Sequence, residues 1–255
     1  ASGPFRKRSI LLGDIINSDP WFVGTENFGY HRLPSPEGPV YTTFRNGSSY
    51  TGRRKMVYVG ANDGMLHGFD AANDTTNGGK EIFAYIPDAI IGKLSKLTDP
   101  TYGATTNPHQ YFVDGAPKAG DAYINGAWKT LLAGTLGAGG KGVFVLDVTN
   151  PDGFDATDVL WEVTDTTGPE YADLGYTLPQ PSIVRLANGD WGVIVANGYD
   201  SASKKAVLYI LDAENGSIIK KFDTLVGLCC INPLDAERAL EGLLLCGHSV
   251  TLRHA

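Results

Sequence analysis

The chain has 255 residues, a net charge of −7, 19% charged residues, 32 glycines and 14 prolines. That length admits one large all-β domain or two ordinary ones, and the turn-rich, charge-poor mix argues against a helical bundle. The basic clusters, Arg6-Lys7-Arg8 and Arg53-Arg54-Lys55, read as solvated strand flanks, and an acidic chain without a positive stripe excludes nucleic acid as a partner.

No apolar run reaches bilayer-crossing length, so the chain is not expected to span a membrane. The opening "ASGPFRKRSI" lacks the apolar centre of a signal peptide.

In chain order, strand signals come in groups of four. The first group is "LLGDIINSDPWFVG" (11–24), "MVYVGA" (56–61), "LHGFDA" (66–71) and "EIFAYI" (81–86). The second is "APKAGDAYI" (116–124), "TLLAGTL" (130–136), "VFVLDV" (143–148) and "VLWEVT" (159–164). The third is "QPSIVRLA" (180–187), "GVIVANG" (192–198), "LYILDA" (208–213) and "IIKKFD" (218–223). The third strand of each group ends on a marker aspartate: Asp70, Asp147 or Asp212.

Four strands per unit, repeated, is the pattern of β-propeller blades, because stacking like sheets buries faces that a lone meander exposes. The fold class expected is therefore all-β, an incomplete wheel of about three four-stranded blades with long insertions; an irregular two-sheet sandwich is the competing arrangement. Trp128, Trp161 and Trp191 are expected to fill space between sheets. The insertions 25–54 and 87–113, rich in Pro, Gly, Thr and Tyr, are expected to emerge from one face and carry binding. Asn62-Asp63-Gly64 reads as a hairpin turn.

Gly137-Ala138-Gly139-Gly140-Lys141-Gly142 matches G-x-G-x-x-G, with Glu162 near the spacing of a ribose-binding acid. A dinucleotide site needs a helix after the glycines. Here a strand follows, so a glycine hairpin is the better reading. Thr135 and Gly142 also break the phosphate-loop pattern.

His31, His67, His109, His248 and His254 share no ligand spacing, and no C-x-x-C pair occurs, which argues against a structural zinc. His67 alternates with Met65 and Phe69 and reads as a packed or rim histidine. "DAANDTTNGGKE" (70–81) gathers Asp70, Asp74, Asn77 and Glu81 without the alternation of a calcium loop. No G-x-S-x-G elbow supplies a nucleophile. No catalytic, cofactor-binding or metal residue is therefore assigned.

After Asp223 the pattern changes. "LDAERALEGLLL" (234–245) has helical spacing, with Asn232 as cap and Pro233 at the first helical position. Cys229, Cys230 and Cys246, an odd number, cannot form a complete disulfide framework. The chain divides at this stage into a propeller region, 9–224, and an atypical helical tail, 225–255, consistent with a truncation or a frame-shifted end.

The stretches 11–24, 57–71, 111–151 and 181–216 resemble the C-terminal propeller domain of the PilY family of type IV pilus tip and biogenesis proteins. The long segment "YFVDGAPKAGDAYINGAWKTLLAGTLGAGGKGVFVLDVTNP" (111–151) is the most specific of them. The resemblance implies an exported, non-enzymatic protein of the periplasm, outer membrane or cell surface at the pilus. It further implies support of pilus assembly, retraction control, adhesion and twitching motility, with pilus subunits (minor pilins) and a host or abiotic surface as partners. The family's calcium loop has no matching residues in "LVGLCCINPLDAERALEGLLLCGHSV" (225–250), so no cofactor is carried over. The alternatives are a quinoprotein dehydrogenase holding pyrroloquinoline quinone, towards which only Cys229-Cys230 points, and a scaffold propeller for outer-membrane assembly.

Overall fold

The computed structural model describes residues 3–227. Within them, twelve strands form three four-stranded antiparallel meanders. Blade 1 comprises β1 (Trp21–Val23), β2 (Met56–Gly60), β3 (Leu66–Asp70) and β4 (Glu81–Tyr85). Blade 2 comprises β5 (Lys118–Ile124), β6 (Ala127–Thr135), β7 (Gly142–Asp147) and β8 (Val159–Thr164). Blade 3 comprises β9 (Ser182–Arg185), β10 (Trp191–Ala196), β11 (Lys205–Asp212) and β12 (Ile218–Gly227). The first strands lie abreast, β5 touching both β1 and β9, so the sheets stack as successive blades rather than as a sandwich.

The strand period of two decides which side chain enters which core. From blade 2, Leu131, Ala133, Val143 and Val145 face blade 3, meeting Val193, Val195, Val207 and Tyr209. Their alternates Leu132, Phe144 and Leu146 face blade 1, meeting Met56, Tyr58 and Leu66. A blade held between two others buries both faces, which is why "GVFVLD" is apolar up to its marker aspartate and wholly buried.

All three predicted tryptophans lie in the core between blades 2 and 3. Each buried indole N–H finds a carbonyl or carboxylate, as burial demands. Trp128 donates to the Glu37 carbonyl at 2.9 Å, Trp161 to the Ala213 carbonyl at 3.0 Å and Trp191 to Glu37 Oε1 at 3.0 Å.

The marker aspartates have one shared job. Asp70, Asp147 and Asp212 each accept the backbone N–H two residues on, at 2.7, 3.0 and 2.8 Å from Ala72, Thr149 and Glu214. Such Asx turns end a strand and start the connection to the next. Just before each marker the pairing with the outer strand slips, at Gly68/Phe69, Val145/Leu146 and Ile210/Leu211. A bulge at the same point in every blade re-aims the outer strand. The repeat is thus written in the backbone as well as in the sequence.

Three expectations need correction. The strand signal at 11–24 yields only Trp21–Val23. Gly13, Asn17, Ser18 and Pro20 are poor ladder residues, and side chains hold this segment instead: Ser18 Oγ accepts the Gly60 N–H at 2.8 Å and Asn17 donates to Asp114 at 2.6 Å. The 25–54 insertion is not an irregular loop throughout. It holds helices α1 (Glu37–Asn46) and α2 (Ser48–Thr51), and Tyr41 is 1% exposed in the core between blades 2 and 3. The two insertions also do not share a face. Strands alternate in direction, so the β1–β2 connection and the connection leaving β4 lie at opposite ends of the sheets.

Glu37 locks α1 to blade 3, its carboxylate taking two guanidinium nitrogens of Arg185 at 2.9 and 2.6 Å. A bidentate pair of this kind is stronger than a single contact. A Glu37→Gln/Arg185→Met double-mutant cycle in urea is expected to show a coupling of about 1–2 kcal/mol; additive losses would show that the pair does not join the two elements.

Candidate functional site

Among the described residues, three polar clusters lie beside the insertions and the glycine loop. The first lies beneath the 25–54 insertion. Asp121 on β5 is fully buried at 0% exposure. Its carboxylate accepts Tyr41 Oη at 2.9 Å and Thr130 Oγ1 at 2.7 Å, and Tyr50 Oη lies 3.2 Å away. Arg53 Nη1 donates to Thr130 Oγ1 at 2.6 Å. Burial pushes the Asp121 carboxyl above its ordinary value, opposed by the bonds from Thr130 and Tyr41. Burial, with the nearby Asp121 charge, pushes the Tyr50 phenol up to about 12. Every oxygen of Asp121 is engaged, so the group anchors rather than reacts. Arg53 corrects the sequence reading too: its side chain is 2% exposed, not a solvated flank. Arg54 pairs with Asp70 and, at 2.6 Å, with Asp152.

The second cluster is the β2–β3 hairpin at the other end. Gly64 supplies the turn, with a φ of +97° that suits glycine. Asn62 accepts the Phe112 N–H at 3.0 Å and donates to Asp14 at 3.0 Å. Asp14 in turn meets His109 Nε2 at 2.9 Å. His67, 2% exposed, is held from both sides: Nδ1 is 2.9 Å from Glu81 and Nε2 is 3.1 Å from Asp63. With both nitrogens occupied, the imidazole has no free site for a substrate proton.

Burial pulls the His67 pKa down, but its bonds to Asp63 and Glu81 outweigh this and leave it raised. A histidine raised in the folded state contributes stability that is full below about pH 6.5 and lost as pH climbs through the folded value. Melting of the unaltered chain from pH 6 to pH 9 is therefore expected to show a loss that His67→Gln lacks. Parallel curves for the two would contradict this.

The third cluster surrounds the glycine loop. A short 3-10 turn, Gly137–Gly139, leads into β7, as the hairpin reading requires. A Cβ on Gly139 would sit 1.7 Å from the Phe112 carbonyl oxygen, so the loop and the 87–113 insertion touch backbone to backbone. Gly139→Ala is expected to cost about 1–3 kcal/mol, read as a lowered urea midpoint; an unchanged midpoint would show that this contact is dispensable. Glu162 lies not at a ribose position but at the start of α3 (Asp88–Ile91), accepting the Asp88 N–H at 2.9 Å and the Tyr85 hydroxyl. Burial raises its pKa, against the bonds from the Asp88 and Ala89 amides. A protein carboxylate occupies the place where an anion would meet helix amides. Beside it opens a cavity of about 510 Å³, lined among others by Lys93, Lys141, Glu162 and Tyr176.

The acidic stretch 70–81 does not converge. Asp70 pairs with Arg54, Asp74 accepts the Thr76 and Asn77 amides at 2.8 and 2.7 Å, and Glu81 turns to His67. Among the described residues no group of three or more His, Cys, Asp or Glu is placed to hold a metal ion. His31 sits exposed in the turn Tyr30–Arg32. Cys229, Cys230, Cys246, His248, His254, the 234–245 helix and the place of the family's calcium loop lie outside the described residues. Sequence reasoning missed Asp121, Glu37 and Lys93. The first two pair with groups that are distant in the chain, and Lys93 lies in an insertion read only by composition.

Stacked meanders with their first strands abreast, tied by buried polar anchors, define a β-propeller module. The chain belongs to the PilY1 β-propeller domain family, whose model matches residues 12–240. Type IV pilus biogenesis factor PilY1 of Pseudomonas aeruginosa is 46% identical over 223 residues, 87% of this chain and 18% of that protein. A PilY1 homolog of Xylella fastidiosa is 40% identical over 232 residues, 89% of this chain and 15% of its own length. The crystal structure of the Pseudomonas aeruginosa PilY1 C-terminal domain superposes with a TM-score of 0.62 at 40% identity, covering 82% of this chain and 38% of that one. The chain thus spans less than a fifth of the length of these curated relatives.

Proposed function

We propose that this chain is a non-enzymatic part of the type IV pilus machinery that supports pilus assembly, restrains retraction and contributes to surface attachment. The observation that carries this reading is the 46% identity to a pilus biogenesis factor over 87% of the chain. The polar interior supports it: Asp121, Glu37 and His67 are each spent on joining elements, and none is left free to do chemistry. In this reading the protein is exported and meets minor pilins, and then a host or abiotic surface, at the pilus. It acts without a cofactor of its own in this chain.

Both insertions keep exposed side chains for partners, the 25–54 insertion at one end of the sheets and the 87–113 insertion at the other. The test is fractionation of cells in which the protein is tagged at its own chromosomal gene. The tag is expected in sheared surface pili and absent from them in a strain that cannot assemble pili. Retention of all the tag in the cytoplasm would overturn the reading.

A further inference from the structure

We propose that the cavity between the 87–113 insertion and the outer edge of blade 2 binds a sugar acid, a polyhydroxylated ligand carrying one carboxylate, with Lys93 as its charge partner. The cavity, about 510 Å³, is of the size that holds small ligands. Five charged side chains line it: Asp88 is exposed to solvent, and of the other four only Lys93 is left short of partners. Glu162 is taken up by the α3 amides and the Tyr85 hydroxyl. Lys141 is held by Asp200 at 2.9 Å and Asp165 at 3.5 Å. Lys93 has only the Gly139 carbonyl, at 2.5 Å, and no carboxylate at ion-pair distance among the described residues. An ammonium has three donors, so two are open. Taking it partly out of water without a counter-charge is unfavourable, and burial lowers its pKa accordingly. A ligand carboxylate at Lys93 supplies what the protein does not.

The remaining lining selects among anions. One uncompensated cation fits a monoanion, while the Asp88, Glu162 and Asp165 carboxylates in the same walls repel a phosphate dianion more strongly. Thr164, Thr166 and Thr167 line it too; Thr164 Oγ1 bonds Thr166 Oγ1 at 2.9 Å and Thr167 Oγ1 takes the Thr164 amide at 2.8 Å, which leaves the exposed Thr166 and Thr167 hydroxyls with capacity for ligand hydroxyls. Tyr176 adds a ring to the wall, stacked on Tyr199 at 4.6 Å and 14° and with Lys141 Nζ 5.8 Å from its centroid. An acidic peptide side chain would satisfy Lys93 but bring no hydroxyls for the threonines. The site goes beyond the pilus reading and does not rest on it: a failure here leaves localisation in pili untouched.

The test is calorimetric titration of the full chain with D-glucuronate, with glucose, acetate, inorganic phosphate and an N-acetylated Asp-Glu dipeptide as comparators. Glucuronate is expected to bind saturably and at least tenfold more tightly than any comparator. Binding is expected to fall at least tenfold in Lys93→Met and severalfold in Thr166→Val, which changes an exposed side chain. In the unaltered chain, glucuronate is expected to protect Lys93 from amine acylation, read by mass spectrometry, so the outcome does not depend on a variant folding. No glucuronate binding, equal binding by Lys93→Met, tighter binding of the dipeptide or phosphate, or no protection of Lys93 would each overturn the proposal.

Discussion

Replacing Asp121 by alanine is expected to destabilise the protein by about 3–5 kcal/mol, the range for removing one partner from a buried charged network. For a domain of this size that is a fall in Tm on the order of 10 °C. The reason is what the deletion leaves behind. Tyr41 loses its acceptor in the interior, Tyr50 keeps only the Glu26 carbonyl, and Thr130 is left with the Arg53 guanidinium alone. Tyr41→Phe removes the bond to Asp121 and the acceptor of the Phe28 amide, and is expected to cost less, about 1–2 kcal/mol. The contrast between the two variants is the informative measurement, made by urea unfolding with tryptophan fluorescence. If both cost the same small amount, the insertion is not anchored through Asp121.

Trp128→Ala is the second large effect, about 3–5 kcal/mol for deleting a buried tryptophan. Trp128 is 4% exposed and stands at a junction of three elements. Its ring lies 4.5 Å from Tyr41 of α1, 5.3 Å from Trp191 of blade 3 and 5.3 Å from Tyr30, and its N–H reaches the Glu37 carbonyl. Removing it opens a cavity where the insertion, blade 2 and blade 3 meet. Combined with Trp191→Ala, the losses are expected to fall short of additive, because the two rings share the contact that either deletion destroys. Strict additivity would place the tryptophans in independent packing sites.

The blades were legible because a strand states its own period. Alternation, the turn glycines and the marker aspartates are local features, and the structure places a strand at each of the twelve signals, although the first shrinks to three residues. The Asx turns explain why aspartate marks the repeat: its short side chain reaches the amide two residues on. Helix α1 was not legible. "EGPVYTTFRN" contains Gly, Pro, Val and two Thr, all weak helix formers, and it is helical because Tyr41 and Glu37 are captured by blades 2 and 3. Tertiary packing decides there, and no local pattern reports it. The opposite placement of the two insertions follows from strand parity, which needs the pairing order as well as the strand positions. Arg53 misled for a related reason. A run of three basic residues looks solvated, yet its aliphatic stem and guanidinium cross the core to Thr130.

The glycine loop shows how a motif changes meaning with context. Glycines that would cradle pyrophosphate before a helix serve here to let the Gly139 backbone approach Phe112. Glu162, at the spacing of a ribose-binding acid, caps α3 from a neighbouring strand instead. The same residues therefore build a wall, and Lys93, which no motif announced, lines the cavity beside them.

The central claim is that a chain with this fold and ancestry serves the type IV pilus. It is tested most directly by deleting the gene that encodes the chain and measuring sheared surface pili together with the twitching zone. Both are expected to collapse and to return when the unaltered chain is expressed. Wild-type pilus yield and motility in the deletion strain would contradict the account.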